Sequence, residues 1–363
     1  MLLILLICKY NNTYIKIIKI FSSSKSGISY FLIFFVSDLL TIDERYGVIH
    51  CETRHRNGRR RMFKFKSKQI VYDIADVKIG GNIGENPTVM IGSIFYKGDK
   101  TVKDEKNGEF DREAAKNLIA KTEEMSEKTG LPAMLDIICT NSKSAENYLR
   151  FAAETTEMPL LIDAVSDEAA IRGLEVAKEL GIEERTIYNS ISPDTKESIY
   201  RKIRDVNLKS AIILTYSVRA LISWKERVNL LESLLPKVKT AGIEKILVDT
   251  VVMDISTLGL ACKAICEVKN KYGYPAGCAA HNAVSSWKSL RKKKDATLTS
   301  VCSSVVNSLP IAIGADFILY GPIQDAEYVF PAVCLVDAAY GQILMEEGKR
   351  PGPSHPRFKI ARL

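Results

Sequence analysis

From residue 88 onward the chain repeats one pattern eight times: a short apolar run, a polar turn, then a helix-length segment. The apolar runs predict strands over 88–94, 133–138, 160–164, 186–189, 210–215, 245–250, 275–280 and 316–320. The intervening segments predict helices over 111–128, 142–154, 167–180, 193–206, 225–240, 256–271 and 298–313, with a last one near 325–345. Ser192-Pro193 pairs a capping side chain with a first-turn proline and so marks the start of the fourth helix. Gly130, Gly181, Gly242, Gly273 and Gly314 each close a helix just before the next strand. The strands are apolar nearly throughout, as strands covered by helices outside and packed inside must be. Eight such units predict the α/β class and a closed (β/α)8 TIM barrel, because no Gly-rich dinucleotide fingerprint follows the first strand.

Ahead of the barrel, residues 62–81 alternate weakly around a short bend and predict a β-hairpin. Gly80, Gly81 and Gly84 suggest a phosphate cradle at first sight. No helix opens directly after them, so they read as turn chemistry. Residues 1–61 do not share the pattern. Their two apolar stretches, 1–8 and 30–40, are too short to span a bilayer as helices. No small-residue cleavage site follows the first stretch, as a signal peptide requires. The expectation is a non-native or disordered leader over 1–61, a native start at Met62 and one barrel domain over 62–363. A basic arm or weak membrane anchor is the rival. No segment from Met62 onward is expected to cross a membrane.

Charge narrows the reading further. The net charge is +8 over 363 residues, but residues 1–61 carry 10 Lys/Arg against 4 Asp/Glu, so six of those charges lie outside the patterned region. A nucleic-acid partner is therefore not expected. Eight cysteines, at positions 8, 51, 139, 262, 266, 278, 302 and 334, include no CxxC pair. A reducing compartment fits better than a disulfide framework. Cys262 and Cys266 share a helix face, but no second pair completes a metal site, so no metal is expected.

The candidate chemistry sits where the apolar runs stop. Asp163 ends the third strand, Asn189 the fourth, Asp249 the sixth, and His281-Asn282 follow the seventh. Taken singly, each is an ordinary helix cap. Together they occupy the carboxyl rim of a barrel, where active sites form. Two carboxylates and two amides can accept from and donate to the amino-pyrimidinone edge of a flat, nitrogen-rich ring. Asp136, at the end of the second strand, is expected one layer below them or supporting loops. Residues 285–295 hold Trp287 and the run Arg291-Lys292-Lys293-Lys294, a solvated helix end or a dock for an acidic partner.

Several strings carry a family resemblance. Met62-Phe63-Lys64-Phe65, Gly80-Gly81-Asn82-Ile83-Gly84-Glu85, Ile94-Phe95-Tyr96, Ile187-Tyr188-Asn189-Ser190-Ile191, His281-Asn282-Ala283-Val284-Ser285-Ser286-Trp287 and Asp316-Phe317-Ile318-Leu319-Tyr320-Gly321-Pro322-Ile323 resemble the H-subunit family of tetrahydromethanopterin S-methyltransferase. The resemblance runs from Met62 to about Asp337. It implies a pterin-binding barrel that moves a methyl group between N5 of tetrahydromethanopterin and a protein-held Co(I) corrinoid (cobamide). It implies that Asp163, Asn189 and Asp249 hold the pterin and that Asn282 lies beside N5. Asn282 and Asp249 are then the catalytic candidates, with His281 a proton relay or a structural residue. The implied partners are a corrinoid-carrying subunit, membrane subunits of a sodium-coupled complex and a second copy in a homodimer. The implied place is the cytoplasmic face of the membrane. Two alternatives stay open: a methyl-tetrahydrofolate or other-donor corrinoid methyltransferase of methylotrophic metabolism, and a non-catalytic pterin-binding subunit.

Overall fold

The computed structural model describes residues 64–293 and 295–362, the side chains of Arg291 and Arg362 excepted. In the first 63 residues it describes only backbone pairing, of Leu3–Tyr10 with Thr13–Ile20 and of Thr41–Asp43 with Val48–His50. Contacts divide the chain into Met1–Met62 and Phe63–Leu363. The leader expected over 1–61 therefore falls outside the fully described residues.

Eight parallel strands close into a barrel: β1 (Val89–Ile94), β2 (Ala133–Cys139), β3 (Leu160–Ala164), β4 (Thr186–Ile191), β5 (Ser210–Leu214), β6 (Lys245–Asp249), β7 (Ala276–Cys278) and β8 (Phe317–Pro322), with β8 pairing back to β1. The helices between them are α1 (Arg112–Thr129), α2 (Ser142–Thr155), α3 (Asp167–Leu180), α4 (Glu197–Asp205), α5 (Trp224–Thr240), α6 (Ile255–Lys271), α7 (Ala296–Ile311) and α8 (Ala326–Glu346). The TIM-barrel expectation is borne out, most boundaries to within two residues. Gly130, Gly181, Gly242, Gly273 and Gly314 all take the left-handed φ that lets a helix stop without a Cβ clash.

Three differences have local causes. α4 starts at Glu197 rather than at residue 193. Ser192 Oγ accepts from the Asp194 N–H (3.3 Å) and Thr195 Oγ1 accepts from the Ser192 N–H (2.8 Å), so the Ser-Pro pair closes a turn instead of capping. β7 covers only Ala276–Cys278, because the Asn282 and Ala283 N–H groups donate back to the carbonyls of Ala279 and Ala280 and coil the chain early. A small hairpin, Val102–Asp104 with Glu109–Phe110, stands between β1 and α1, where the sequence pattern had predicted no element.

The barrel interior is built in layers because side chains alternate along each strand. Ile91, Met134, Leu161, Ile187, Ile212 and Leu247 belong to one fully buried cluster, with Phe317 and Leu319 of β8. The predicted hairpin is present as Val71–Ile74 paired with Val77–Gly80. Its turn residues Ala75 and Asp76 both have positive φ, as a two-residue hairpin turn of the favoured hand requires. Ile74 and Ile79 reach the same interior cluster, so the hairpin seals the amino end of the barrel. There the buried Lys269 ammonium donates to Asp316 (2.6 Å) and to the Gly81 carbonyl (3.0 Å), fastening hairpin, α6 and β8 together. The glycines of that segment serve turns, as their positive φ values require.

One expectation needs correcting. Ile323–Glu346, which contains α8, is long and apolar enough to cross a membrane, with mean hydropathy 1.4. It is also the eighth wall helix, with Val329, Phe330, Val333 and Cys334 fully buried.

Candidate functional site

Two residues beyond the apolar layer, the same alternation carries Ser93 on β1, Asp136 on β2, Asp163 on β3, Asn189 on β4 and Asp249 on β6 inward at the carboxyl end. Strand register sets their heights. Asp163 lies opposite Asn189, whereas Asp136 lies opposite Ser93 and Leu161 and so sits one layer deeper than Asp163. Asp163 and Asn189 thus share one level, with Asp136 and Ser93 one layer below and Asp249 one layer above, and together they form a polar ring over the apolar core.

The deepest member organises its neighbours. Asp136 is buried and accepts from Ser93 Oγ (2.7 Å) and from Asn189 Nδ2 (3.0 Å). Because the Asn189 amide nitrogen is engaged below, its carbonyl oxygen is the end left for a ligand. Asp249, also buried, accepts from the Val251 N–H through Oδ1 (2.7 Å). Asp163 accepts no hydrogen bond from the described residues and faces the charge of Asp136. The ring thus holds unclaimed acceptors on Asp163, Asn189 and one oxygen of Asp249.

His281 and Asn282 arrive from the turn after β7. Asn282 opens the short helix Asn282–Ser285 and donates from Nδ2 to the Val252 carbonyl on the turn after β6 (2.9 Å). Its second amide N–H stays available. His281 Nδ1 lies 3.0 Å from the Leu319 carbonyl, which can only accept, so Nδ1 carries the proton. Burial holds the ring below the usual imidazole range and hence neutral at pH 7. Gly321 makes way for it: a Cβ there would stand 2.8 Å from the ring. His281 is thus fastened to the wall at β8.

Sequence reasoning missed two contributors. Ser93 was legible in principle, two residues past the inward Ile91. Arg227 was not: it stands among Lys225 and Glu226 at a helix start, yet its side chain is fully buried. It donates to the carbonyls of Ala220 (2.8 Å), Thr250 (2.9 Å) and Val251 (3.0 Å), and its charge favours the ionised form of Asp249. Of the basic cluster, Lys292 and Lys293 are exposed on the helix Lys288–Lys293 beside the half-exposed Trp287, and Lys294 lies outside the described residues. Among the described residues no cluster of His, Cys, Asp and Glu is arranged to hold a metal.

Burial dominates the electrostatics. It lifts Asp136 to about 6 against the bonds from Ser93 and Asn189. It lifts Asp249 to about 6, opposed by the Val251 N–H and Arg227 and reinforced by Asp136. Asp163 is pushed well above the carboxylate range, by burial first and Asp136 second. The mouth therefore keeps a proton near neutrality, and a protonated carboxyl can donate as well as accept.

Against known proteins, residues 67–351 match the family described as "Tetrahydromethanopterin S-methyltransferase MtrH subunit". The H subunit of tetrahydromethanopterin S-methyltransferase from Methanothermobacter marburgensis is 37% identical over 309 residues, covering 82% of this chain and all of that protein. Its counterpart from Methanocaldococcus jannaschii is 35% identical over 319 residues, again 82% and all. The H subunit of the mtx methyltransferase of Methanosarcina barkeri is 36% identical over 306 residues, 81% of this chain and 98% of the relative. In structure, Yersinia pestis dihydropteroate synthase solved with a pterine-sulfa conjugate aligns at TM-score 0.52 and 11% identity, over 74% of this chain and 99% of that one, a likeness of fold.

A raised carboxyl means that the folded state binds a proton the unfolded chain releases. The contribution of Asp249 to stability is then fullest below pH 3.8 and is lost as pH rises through about 6. Asp249→Asn, which keeps an acceptor for Val251, should stabilise the fold at pH 8 by on the order of 2 kcal/mol and change little at pH 4. Urea unfolding at the two pH values measures this, and equal effects at both would refute the buried-charge account.

Proposed function

Because the chain belongs to the H-subunit family of tetrahydromethanopterin S-methyltransferase, we propose that the barrel mouth seats the reduced pterin ring and releases its N5 methyl group to a corrinoid on another subunit. The protein is a methyltransferase and one subunit of a multi-subunit complex. The observation that carries the site assignment is the set of unclaimed acceptors on Asp163, Asn189 and Asp249 at adjacent levels of the barrel's carboxyl end.

Those acceptors suit the N–H groups along the amino-pyrimidinone edge of a pterin, and burial makes each bond directional and strong. A protonated Asp163 can also serve a ring nitrogen or carbonyl as donor. With the edge held there, Asn282 is the residue we assign beside N5. As the methyl leaves, its bonding pair stays on N5, which needs a proton to depart as a neutral secondary amine; the free amide N–H of Asn282 stabilises the charge developing on N5 while solvent supplies that proton. Asp249 shares in catalysis by holding the ring in line for displacement. His281, neutral and tied to β8, fixes the turn that carries Asn282. The partner-borne corrinoid supplies the Co(I) nucleophile that accepts the methyl group.

The corrinoid protein must reach the mouth, and Trp287 with the basic residues beside it is the surface we assign to that contact. Membrane subunits complete the complex in this reading, and this chain sits on its cytoplasmic face. The use of α8 as a barrel wall supports a peripheral position. We also assign a homodimer to the outer face of α7. Val301, Val305 and Leu309 recur there at four-residue spacing, 55%, 62% and 46% exposed, on a helix with no Lys, Arg, Asp or Glu. Two copies can meet there without like-charge repulsion.

A relative at 36% identity whose name specifies no methyl donor keeps a different donor as the second reading, so the assay should offer both methyl-tetrahydromethanopterin and methyl-tetrahydrofolate. With the full chain and cob(I)alamin, Asp249→Ala should weaken pterin binding by about 10- to 100-fold, the worth of a charge-assisted hydrogen bond. Asn282→Ala should slow transfer by about 100-fold while binding changes little. Calorimetry and cobalamin absorbance separate the two effects, and wild-type values in both variants would overturn the site. Val305→Glu should yield monomers in sedimentation velocity with transfer to free cob(I)alamin retained. A variant that still sediments as a dimer would rule out this face.

A further inference from the structure

We propose that Arg227 is a positioning residue for the mouth: its guanidinium locks the turn after β6 so that this turn offers an N–H to Asp249 and a carbonyl to Asn282. The proposal rests on the reading of the site given above and extends it to a residue that touches no ligand.

Arg227 lies on the first turn of α5, after the Ser223 cap, and its side chain is fully buried. Among the described residues it makes no salt bridge. Its hydrogen bonds go to four backbone carbonyls, Ala220 and Leu221 after β5 and Thr250 and Val251 after β6. The fork thus ties two neighbouring mouth loops together, a task that suits planar guanidinium donors and not a single ammonium.

Peptide geometry carries the effect to the site. In a trans peptide the C=O and the next N–H point in opposite directions. Turning the Thr250 carbonyl toward Arg227 therefore turns the Val251 N–H the other way, where Asp249 Oδ1 accepts it at 2.7 Å. Val251 sits at φ +63°, a left-handed conformation that is strained for a β-branched residue and persists only when held. The Arg227 bond to the Val251 carbonyl (3.0 Å) is one such hold. The next carbonyl along, Val252, receives the Asn282 amide at 2.9 Å. One buried cation thereby sets both the carboxylate that grips the ring and the amide assigned beside the reacting nitrogen. The charge and the fork act on different steps: the charge on Asp249, the fork on the turn after β6 whose Val252 carbonyl receives the Asn282 amide.

The test uses Arg227→Lys and Arg227→Met in the full chain, with methyl-tetrahydromethanopterin, cob(I)alamin and hydrogen exchange of residues 250–254. Exchange in that segment should quicken about 10-fold in both variants, since both lose the fork. Arg227→Lys should keep KM within about 3-fold and lose at least about 10-fold in kcat. Arg227→Met should lose about 10-fold in both. If the methionine variant fails to fold, the lysine variant decides alone. Folded variants with lower thermal midpoints but wild-type KM and kcat would reduce Arg227 to a structural residue and overturn the proposal. A wild-type chain that binds no reduced pterin would instead overturn the site reading, and this proposal with it.

Discussion

Closure of eight parallel strands imposes the constraint from which the rest follows. Once β8 pairs with β1, every second side chain must point into a shared interior with no room to rotate away. The amino half of that interior is filled by Ile91, Met134, Leu161, Ile187, Ile212 and Leu247 and sealed by a hairpin that inserts Ile74 and Ile79. Continuing the same alternation by one step brings in Ser93, Asp136, Asp163, Asn189 and Asp249. The polar ring thus occupies the uppermost interior levels of the barrel and inherits the rigidity of the packed layers below.

Such a ring is costly without a ligand. Three carboxyl groups withdrawn from water repel one another, and burial shifts all three toward the protonated form. Only part of that cost is offset inside the protein, by Ser93 and Asn189 on Asp136 and by the Val251 N–H and Arg227 near Asp249. Among the described residues Asp163 has no such partner. In the function proposed above, a ligand rich in N–H groups supplies the missing bonds, so that the fold trades stability for binding. The chain is 37% and 35% identical to two members of the H-subunit family, and the proposed pterin site would give that imbalance a chemical purpose.

Much of the architecture was legible before any coordinates. Strand and helix order, the C-terminal glycines and the polar residues at Asp163, Asn189 and Asp249 are local patterns, and each appears within a few residues of its expected place. The misses were local too. The Ser192-Pro193 pair satisfies capping rules equally well in a turn, and only the bonds to Asp194 and Thr195 show which was taken. Ile323–Glu346 has the apolarity of a span because a barrel wall must cover strands along its whole length.

The amino-acid order by itself determined the eightfold alternation, the barrel it implies and which polar residues end the strands, because periodicity, capping and chain reversal act over a few neighbouring residues. Only the tertiary structure decided which of those residues meet. Strand register set Asp136 one layer below Asp163 and turned its oxygen to the Asn189 amide. Loop packing enclosed Arg227, which reads as an ordinary surface cation, among four carbonyls, and hung Asn282 from Val252. These partnerships depend on distances across the closed ring between residues far apart in the chain, and no local pattern encodes them.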